Sequence, residues 1–401
     1  MPKIKSDIKL VVILFVLGIF ISFARVSSYS GISYATNVIF NALTVIPILL
    51  SVAFLAFNKK INKALGGVVV LFLLFIGVHL LSSILNSNVF SSARRVYQII
   101  SVASLVILIS ILFFKTTLIN KWWSFSIFLG VLSCATLFAW LIFDRSMAYS
   151  GIFNNPNSLG VYSLVSMPFF MIARVLSGDK LVRFGWGTLI IITVILSFIS
   201  GARASLLALI ILAAVMMLWT FISESKIKHN LFLISVMLAP ALILLSIIVD
   251  EGGVIYYAEV VSQLISDKGN ILSGRDLLWI SVVDLISVKP FLGWGPSALL
   301  ENLTEQHTMS THNLYLQITL QVGLVGILVF MAIIFKIWNV MYYGRGSRIV
   351  QISASFLVAV LFHQMFSISL TQNSLAFGFG MWFIVSVGIG VSLRTARLEN
   401  A

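Results

Sequence analysis

His312-Asn313, Arg203, Arg275 and the pair Arg94-Arg95 are the residues whose types suit chemistry on a phosphorylated alcohol or sugar. An imidazole near neutrality can take a proton from a hydroxyl, a role typically worth about 10²–10⁴ in rate. A guanidinium is planar, stays charged and can hold two oxygens at once, which suits a phosphate or diphosphate. The same contact stabilises charge that grows on a phosphate leaving group. Each of these residues also has a plainer reading: a capping or packing histidine, or an arginine that snorkels to the membrane surface. Asp250-Glu251 can serve a base or bind a cation, although a solvated pair at a helix end is the simpler account. The chain has no H-x-x-x-H pair, no Asp-x-Asp and no glycine-rich phosphate loop after a strand. Neither a metal site nor a nucleotide site therefore has support, and no cofactor is expected. His79 and His363 lie inside apolar runs and read as packing or pore-lining residues, while His229 and His307 read as loop residues without partners. The single cysteine, Cys134, excludes an intramolecular disulfide and reads as a small buried packing residue.

These residues are separated by membrane-length apolar runs. Of 401 residues, 60% are hydrophobic and only 10% charged, whereas soluble domains carry about a quarter charged. A bilayer core takes roughly 20 apolar residues per helix, and lipid tolerates only helices or closed barrels. Continuous runs rather than ten-residue alternation select helices. The expectation is an all-α polytopic membrane protein forming a single transmembrane domain over residues 1–401. About twelve spans are expected, at 10–24, 35–57, 64–85, 96–114, 122–143, 158–176, 184–200, 204–222, 231–249, 313–338, 350–366 and 374–392. Lys3, Lys5 and Lys9 before the first run resemble a signal peptide, but no clean cleavage site follows, so the run reads as an uncleaved span.

The net charge of +13 is explained by topology without nucleic acid. With the N-terminus in the cytoplasm, only Arg25, Arg94, Arg95, Arg145, Arg203, Lys268, Arg275 and Lys289 of the 26 basic residues fall outside. Arginines that run against this bias are expected to line a wet cavity or meet an anion. The one long polar interval, 250–312, then faces outward between the ninth and tenth spans. Long loops are usually functional or disordered. This one shows helical spacing from Asp276 to Ile286, with Pro290 as a stop and Phe291 and Trp294 expected to press it against the bundle. Gly201-Ala202-Arg203 leaves room only for a tight hairpin between two spans.

Taken together, these residues resemble the bacterial O-antigen ligase and O-antigen or capsule polymerase superfamily. Its hallmark is His, then Asn, Ser or Gln, nine residues, Gly, two residues and a small residue or Tyr. This chain has His312-Asn313, Gly323, Leu324-Val325 and Gly326 at that spacing. Gly201-Ala202-Arg203-Ala204-Ser205 looks like the family's arginine hairpin. Gly274-Arg275-Asp276-Leu277-Leu278-Trp279, running on to Lys289-Pro290-Phe291-Leu292-Gly293-Trp294-Gly295, looks like its long extracytoplasmic loop. The stretch Asn154-Asn155-Pro156-Asn157-Ser158-Leu159-Gly160 is similar too. One departure stands out: ligases often show Arg, three residues, then Leu, where this chain has Arg275 and Trp279.

The resemblance implies a C-type glycosyltransferase fold in the bacterial cytoplasmic membrane, with both termini cytoplasmic and the site facing outward. It implies a metal-independent reaction on an undecaprenyl-diphosphate-linked glycan donor. Arg203 and Arg275 would hold the diphosphate, and His312 would act as base or orient the acceptor. Asn313, Arg94, Arg95, Trp279 and Asn157 are further candidate substrate contacts. The acceptor would be a lipid-linked repeat unit for a polymerase, or lipid A core for a ligase. The Trp279 departure favours the polymerase. Membrane lipids, a chain-length regulator and a flippase are the expected partners. A transporter is the rival of another class, but its polar residues would gather near the midplane rather than at one outer face.

Overall fold

Residues 44–45, 47–52, 59–114, 122–249, 275–303, 310–372 and 375–399 are described by the structure, a computed structural model. Among them the chain is helical, in the order α1 (Lys59–Leu85), α2 (Val89–Phe114), α3 (Trp122–Phe143), α4 (Pro156–Leu176), α5 (Lys180–Ile199) and α6 (Arg203–Ile222). It continues with α7 (Lys226–Val249), α8 (Arg275–Val288), a 3₁₀ turn (Leu300–Asn302), α9 (Leu314–Tyr342), α10 (Arg348–His363) and α11 (Leu375–Glu399). Among the described residues eight helices are long and apolar enough to cross a membrane, with α10 a shorter apolar helix. The expected span at 10–24 lies outside the described residues, as do most of 35–57 and the interval 250–274.

The helices divide by what their side chains face. Nearly all of α2, α4, α10 and α11 is buried, and α2 lies along α11 while α10 contacts α4, α6 and α11. The outer helices α1, α3, α5 and α6 turn Leu73, Val131, Phe138, Ile191, Phe198 and Met217 outward. Such an apolar surface would be an aggregation liability in water and suits lipid. Several polar side chains inside this core bond to backbone: Ser163 donates to the Leu159 carbonyl (3.0 Å), Ser386 to Trp382 (2.6 Å) and the Trp122 indole to Phe169 (2.9 Å), whereas the Ser353 and Ser355 hydroxyls of α10 find no partner among the described residues. Buried hydroxyls without such partners are costly.

The tight hairpin at Gly201-Ala202 is present between α5 and α6, and the helix expected before Pro290 is α8. Of the two side chains expected to anchor the segment that follows, Trp294 packs against the cluster of Leu278, Trp279 and Leu320 and donates to the Leu285 carbonyl (2.8 Å), while Phe291 is exposed and does not pack. The backbone of residues 290–295 adds to the anchoring by entering a break in α9. Gly323 interrupts α9 with φ 69° and ψ −170°. The turn amides of Trp294 and Gly295 donate to the Leu320 and Gln321 carbonyls (2.9 and 3.0 Å), and the amides of Leu324 and Val325 donate to Pro290 and Phe291 (2.7 and 3.2 Å). Intersegment bonds thus replace the intrahelical ones that the break loses. A Cβ on Gly323 would lie 2.1 Å from the Phe291 backbone, and one on Gly293 2.6 Å from that of Leu320 and Gln321. Ser82 of α1 and Asn86 just after it complete the joint by donating to the Leu292 and Gly293 carbonyls.

Three other readings are settled by packing, two of them as corrections. Cys134 is exposed on α3, in an outward apolar groove with Ile127, Phe138 and Leu189. A thiol behaves as a small apolar group, so such a surface accepts it. His229 belongs to α7 rather than a loop: it stacks on Trp338 at 4.2 Å, and its Nε2 lies 3.1 Å from the Trp338 carbonyl. His79 packs as expected, with Nδ1 2.9 Å from the Phe75 carbonyl.

Candidate functional site

The starts of α4, α6 and α9 and the end of α10 meet at one end of the bundle, around a cavity of about 300 Å³. Its polar lining includes Asn155, Asn157, Ser158, Ser205, Arg275, His312, His363, Ser367 and Ser369, with Phe366 and Phe377 among the apolar walls. Arg275, His312 and Asn157 are therefore brought together from residues far apart in sequence. Arg203 is not among the lining residues: it is exposed at the first position of α6, between Ala202 and Ala204, which do line the cavity. Arg94 is exposed on α2, and Arg95 donates to Gln98 (3.0 Å); neither lines the cavity.

His312 is held in an unusual way. Its φ is +52°, a left-handed conformation that histidine adopts several times more readily than most residues and that still stores strain of about 1–3 kcal/mol. Bonds on both sides hold it. The Thr311 amide donates to Gln317 Oε1 (3.1 Å), and the Thr311 hydroxyl donates to the Asn313 carbonyl (2.7 Å). The Trp279 indole donates to the Thr311 carbonyl (3.0 Å). Asn313 caps α9, its side-chain oxygen accepting from the Tyr315 and Leu316 amides (3.0 and 3.2 Å). Asn313 and Trp279, both expected as possible substrate contacts, are thus used behind the histidine, outside the lining.

The opposite wall is fixed to the same frame. The Leu314 amide donates to the Gln364 carbonyl (2.9 Å), and the Tyr315 hydroxyl donates to that of Leu361 (2.8 Å). Gln364 donates to Ser369 (3.1 Å) and accepts from the Leu370 amide (3.0 Å). Arg275, the first residue of α8, donates to the Phe366 carbonyl (3.3 Å), and Phe366 stands beside Trp279 with ring centroids 6.4 Å apart. On α4, Asn155 caps the helix by accepting from the Ser158 amide (2.9 Å). Gly160 lets α4 approach α6 so closely that a Cβ there would lie 2.3 Å from that of Ala202.

Burial lowers the Arg275 pKa, but a guanidinium starts so high that it stays charged at neutral pH. His312 is open to solvent on one side, yet partial burial and then the Arg275 charge lower its pKa below the usual 6.5. Both causes favour the neutral imidazole, the form whose lone pair a general base uses.

His363, expected as a packing or pore-lining residue, lines the cavity: its Nε2 lies 3.3 Å from the Ser205 hydroxyl and its Nδ1 3.3 Å from Gln364 Nε2.

Fold and cavity define a multi-pass helical membrane protein with a polar, cationic site at one end of its bundle. Residues 188–331 match the family model described as O-antigen ligase, in line with the motif resemblance. The matched stretch contains Arg203, Arg275, Trp279, His312 and Gly323 and leaves out Asn157 and His363. The match supports a glycan-processing role at a membrane. No curated protein matches the chain.

Proposed function

We propose that this cavity transfers a glycan from a lipid diphosphate to an acceptor hydroxyl at the outer face of a bacterial cytoplasmic membrane. The observation that carries the reading is the cavity that Arg275 and His312 share. His312 removes the acceptor proton. The acceptor oxygen bonds to the anomeric carbon as the bond from that carbon to the phosphate oxygen breaks. The electron pair leaves with the lipid diphosphate, and configuration inverts. Arg275 holds the phosphate nearest the sugar, and each hydrogen bond to that charge contributes about 1.5–3 kcal/mol. Arg203 reaches the second phosphate from the exposed start of α6. Asn157 and the serines along the wall suit sugar hydroxyls.

The position of the charges supports the orientation. Arg174, Lys180, Arg183, Lys226, Lys228, Arg345 and Arg348 lie at the bundle end away from the cavity, where the positive-inside rule puts the cytoplasm. We assign polymerisation of undecaprenyl-diphosphate-linked repeat units into O-antigen, capsule or exopolysaccharide, without a metal cofactor, on the departure at Trp279 from the ligase pattern. A second reading, ligation to lipid A core, is favoured by the description of the matching family.

The test is reconstitution of purified protein with a lipid-linked repeat unit alone. A ladder of products supports polymerisation. Product only after addition of lipid A core supports ligation, and no product with either donor and acceptor set overturns glycan transfer. Added chelator is expected to leave the rate unchanged. Loss rescued by a divalent cation would point to Asp250 and Glu251, which lie outside the described residues.

A further inference from the structure

The end of the bundle away from His312 holds a second, larger cavity, of about 640 Å³. Four helices converge on it: the end of α4, the start of α5, the last turns of α6 and the start of α10. Its apolar wall is Met171, Val175, Ile190, Met216 and Ile352, and three arginines, Arg174, Arg183 and Arg348, stand among them. All three are exposed. Among the described residues no carboxylate pairs with any of them; the one ion pair there is Lys228 with Glu224, at 2.7 Å. Arg345 nearby is occupied in another way, lying 4.3 Å over the Tyr342 ring. Two of the three cavity arginines are braced. Arg183 donates to the Ser177 carbonyl (2.7 Å), and Arg348 donates to Gln351 (2.8 Å), which in turn donates to the Met216 carbonyl (2.8 Å).

We propose that this cavity is a binding site for an anionic phospholipid of the leaflet at that end, its phosphodiester between Arg174, Arg183 and Arg348 and its acyl chains along Met171, Ile190, Met216 and Ile352. Two features select this ligand over a soluble anion. Three cations from three helices converge on one space, which suits a single phosphate. The rest of the lining is apolar, and Ile190 and Met216 come from the outer helices α5 and α6, so the space suits chains and not a hydrated ion. The inference does not depend on which glycan reaction occurs at the other end. An occupied site would tie α4, α5 and α10 together, and α4 and α10 also frame the His312 cavity.

The test uses the full chain in detergent, with bound lipid read by native mass spectrometry. Phosphatidylglycerol should be retained in preference to phosphatidylcholine. Basic residues at a membrane surface contribute on the order of 1 kcal/mol each, so each of Arg174→Gln, Arg183→Gln and Arg348→Gln should weaken retention about fivefold. The triple variant should lose on the order of a hundredfold. Lys226→Gln with Lys228→Gln, at the same end but outside the cavity, should change little. Equal retention of the two lipids, equal loss in the lysine control, or displacement of the lipid by glycerol phosphate alone would overturn the site. Should the triple variant misfold, a photoreactive phosphatidylglycerol on the unaltered protein decides: cross-links must map to α4, α5, α6 and α10 around the cavity, and a map elsewhere refutes the proposal.

Discussion

The two ends of α4, α6 and α10 are built on opposite plans. At one end regular helices finish in short turns, and the cavity there is apolar with cations at its rim. At the other end the backbone departs from helix repeatedly. His312 is left-handed, Gly323 breaks α9, and residues 290–295 fill the break. The difference teaches where specificity costs conformational strain. A lipid needs only a greasy wall and charges, which continuous helices supply. Bringing the His312 imidazole and the Arg275 guanidinium to one cavity uses backbone outside regular helix, and intersegment bonds compensate for it.

The sharpest way to break that contrast is a methyl group at each end. Gly323→Ala puts a Cβ into the Phe291 backbone, where no side chain can move aside. It should expel the inserted segment and cost more than about 4 kcal/mol, a class of loss reserved for buried backbone conflicts. Folded, monodisperse yield and thermal midpoint would register it. Gly178→Ala at the arginine end meets nothing within 4 Å, and its midpoint should stay within about 0.5 kcal/mol of the parent. Similar losses in both would erase the difference between the ends.

Arg275→Gln comes next. Losing a charged contact to the diphosphate should reduce transfer by roughly tenfold to a hundredfold. It also removes the positive neighbour that helps to lower the His312 pKa. The folded pKa then rises, and the acid limb of the pH–rate profile should move to higher pH. An unmoved limb would separate Arg275 from His312. Smaller effects are expected behind the site. Asn313→Ala removes the α9 cap, at about 1 kcal/mol, and Trp279→Phe removes one hydrogen bond to Thr311, also about 1 kcal/mol. Both should lower the thermal midpoint and slow transfer without changing donor affinity. A selective change in affinity would return these residues to the substrate side.

Much of this architecture is legible in the amino-acid sequence, because lipid imposes long apolar runs and hydrogen-bonded backbone. The Gly201-Ala202 hairpin and the α8 helix ahead of Pro290 follow from spacing alone. The α9 break does not, since Gly323 sits in an unbroken apolar run and its φ depends on a partner segment about thirty residues earlier in the chain. His363 is obscured for a similar reason: an isolated histidine on an apolar helix looks the same whether it packs or lines a cavity. Asn313 and Trp279 are correctly placed near His312 by their motifs, but sequence does not distinguish a residue that touches a substrate from one that holds its neighbour.

The central claim concerns proton removal by His312, and single-turnover transfer from a preloaded lipid-diphosphate donor tests it most directly. In His312→Asn, which keeps a residue suited to the left-handed backbone, donor binding and thermal midpoint should match the parent while the transfer rate falls by about 10²–10⁴. A transfer rate equal to the parent's would contradict the claim and move the base elsewhere in the cavity.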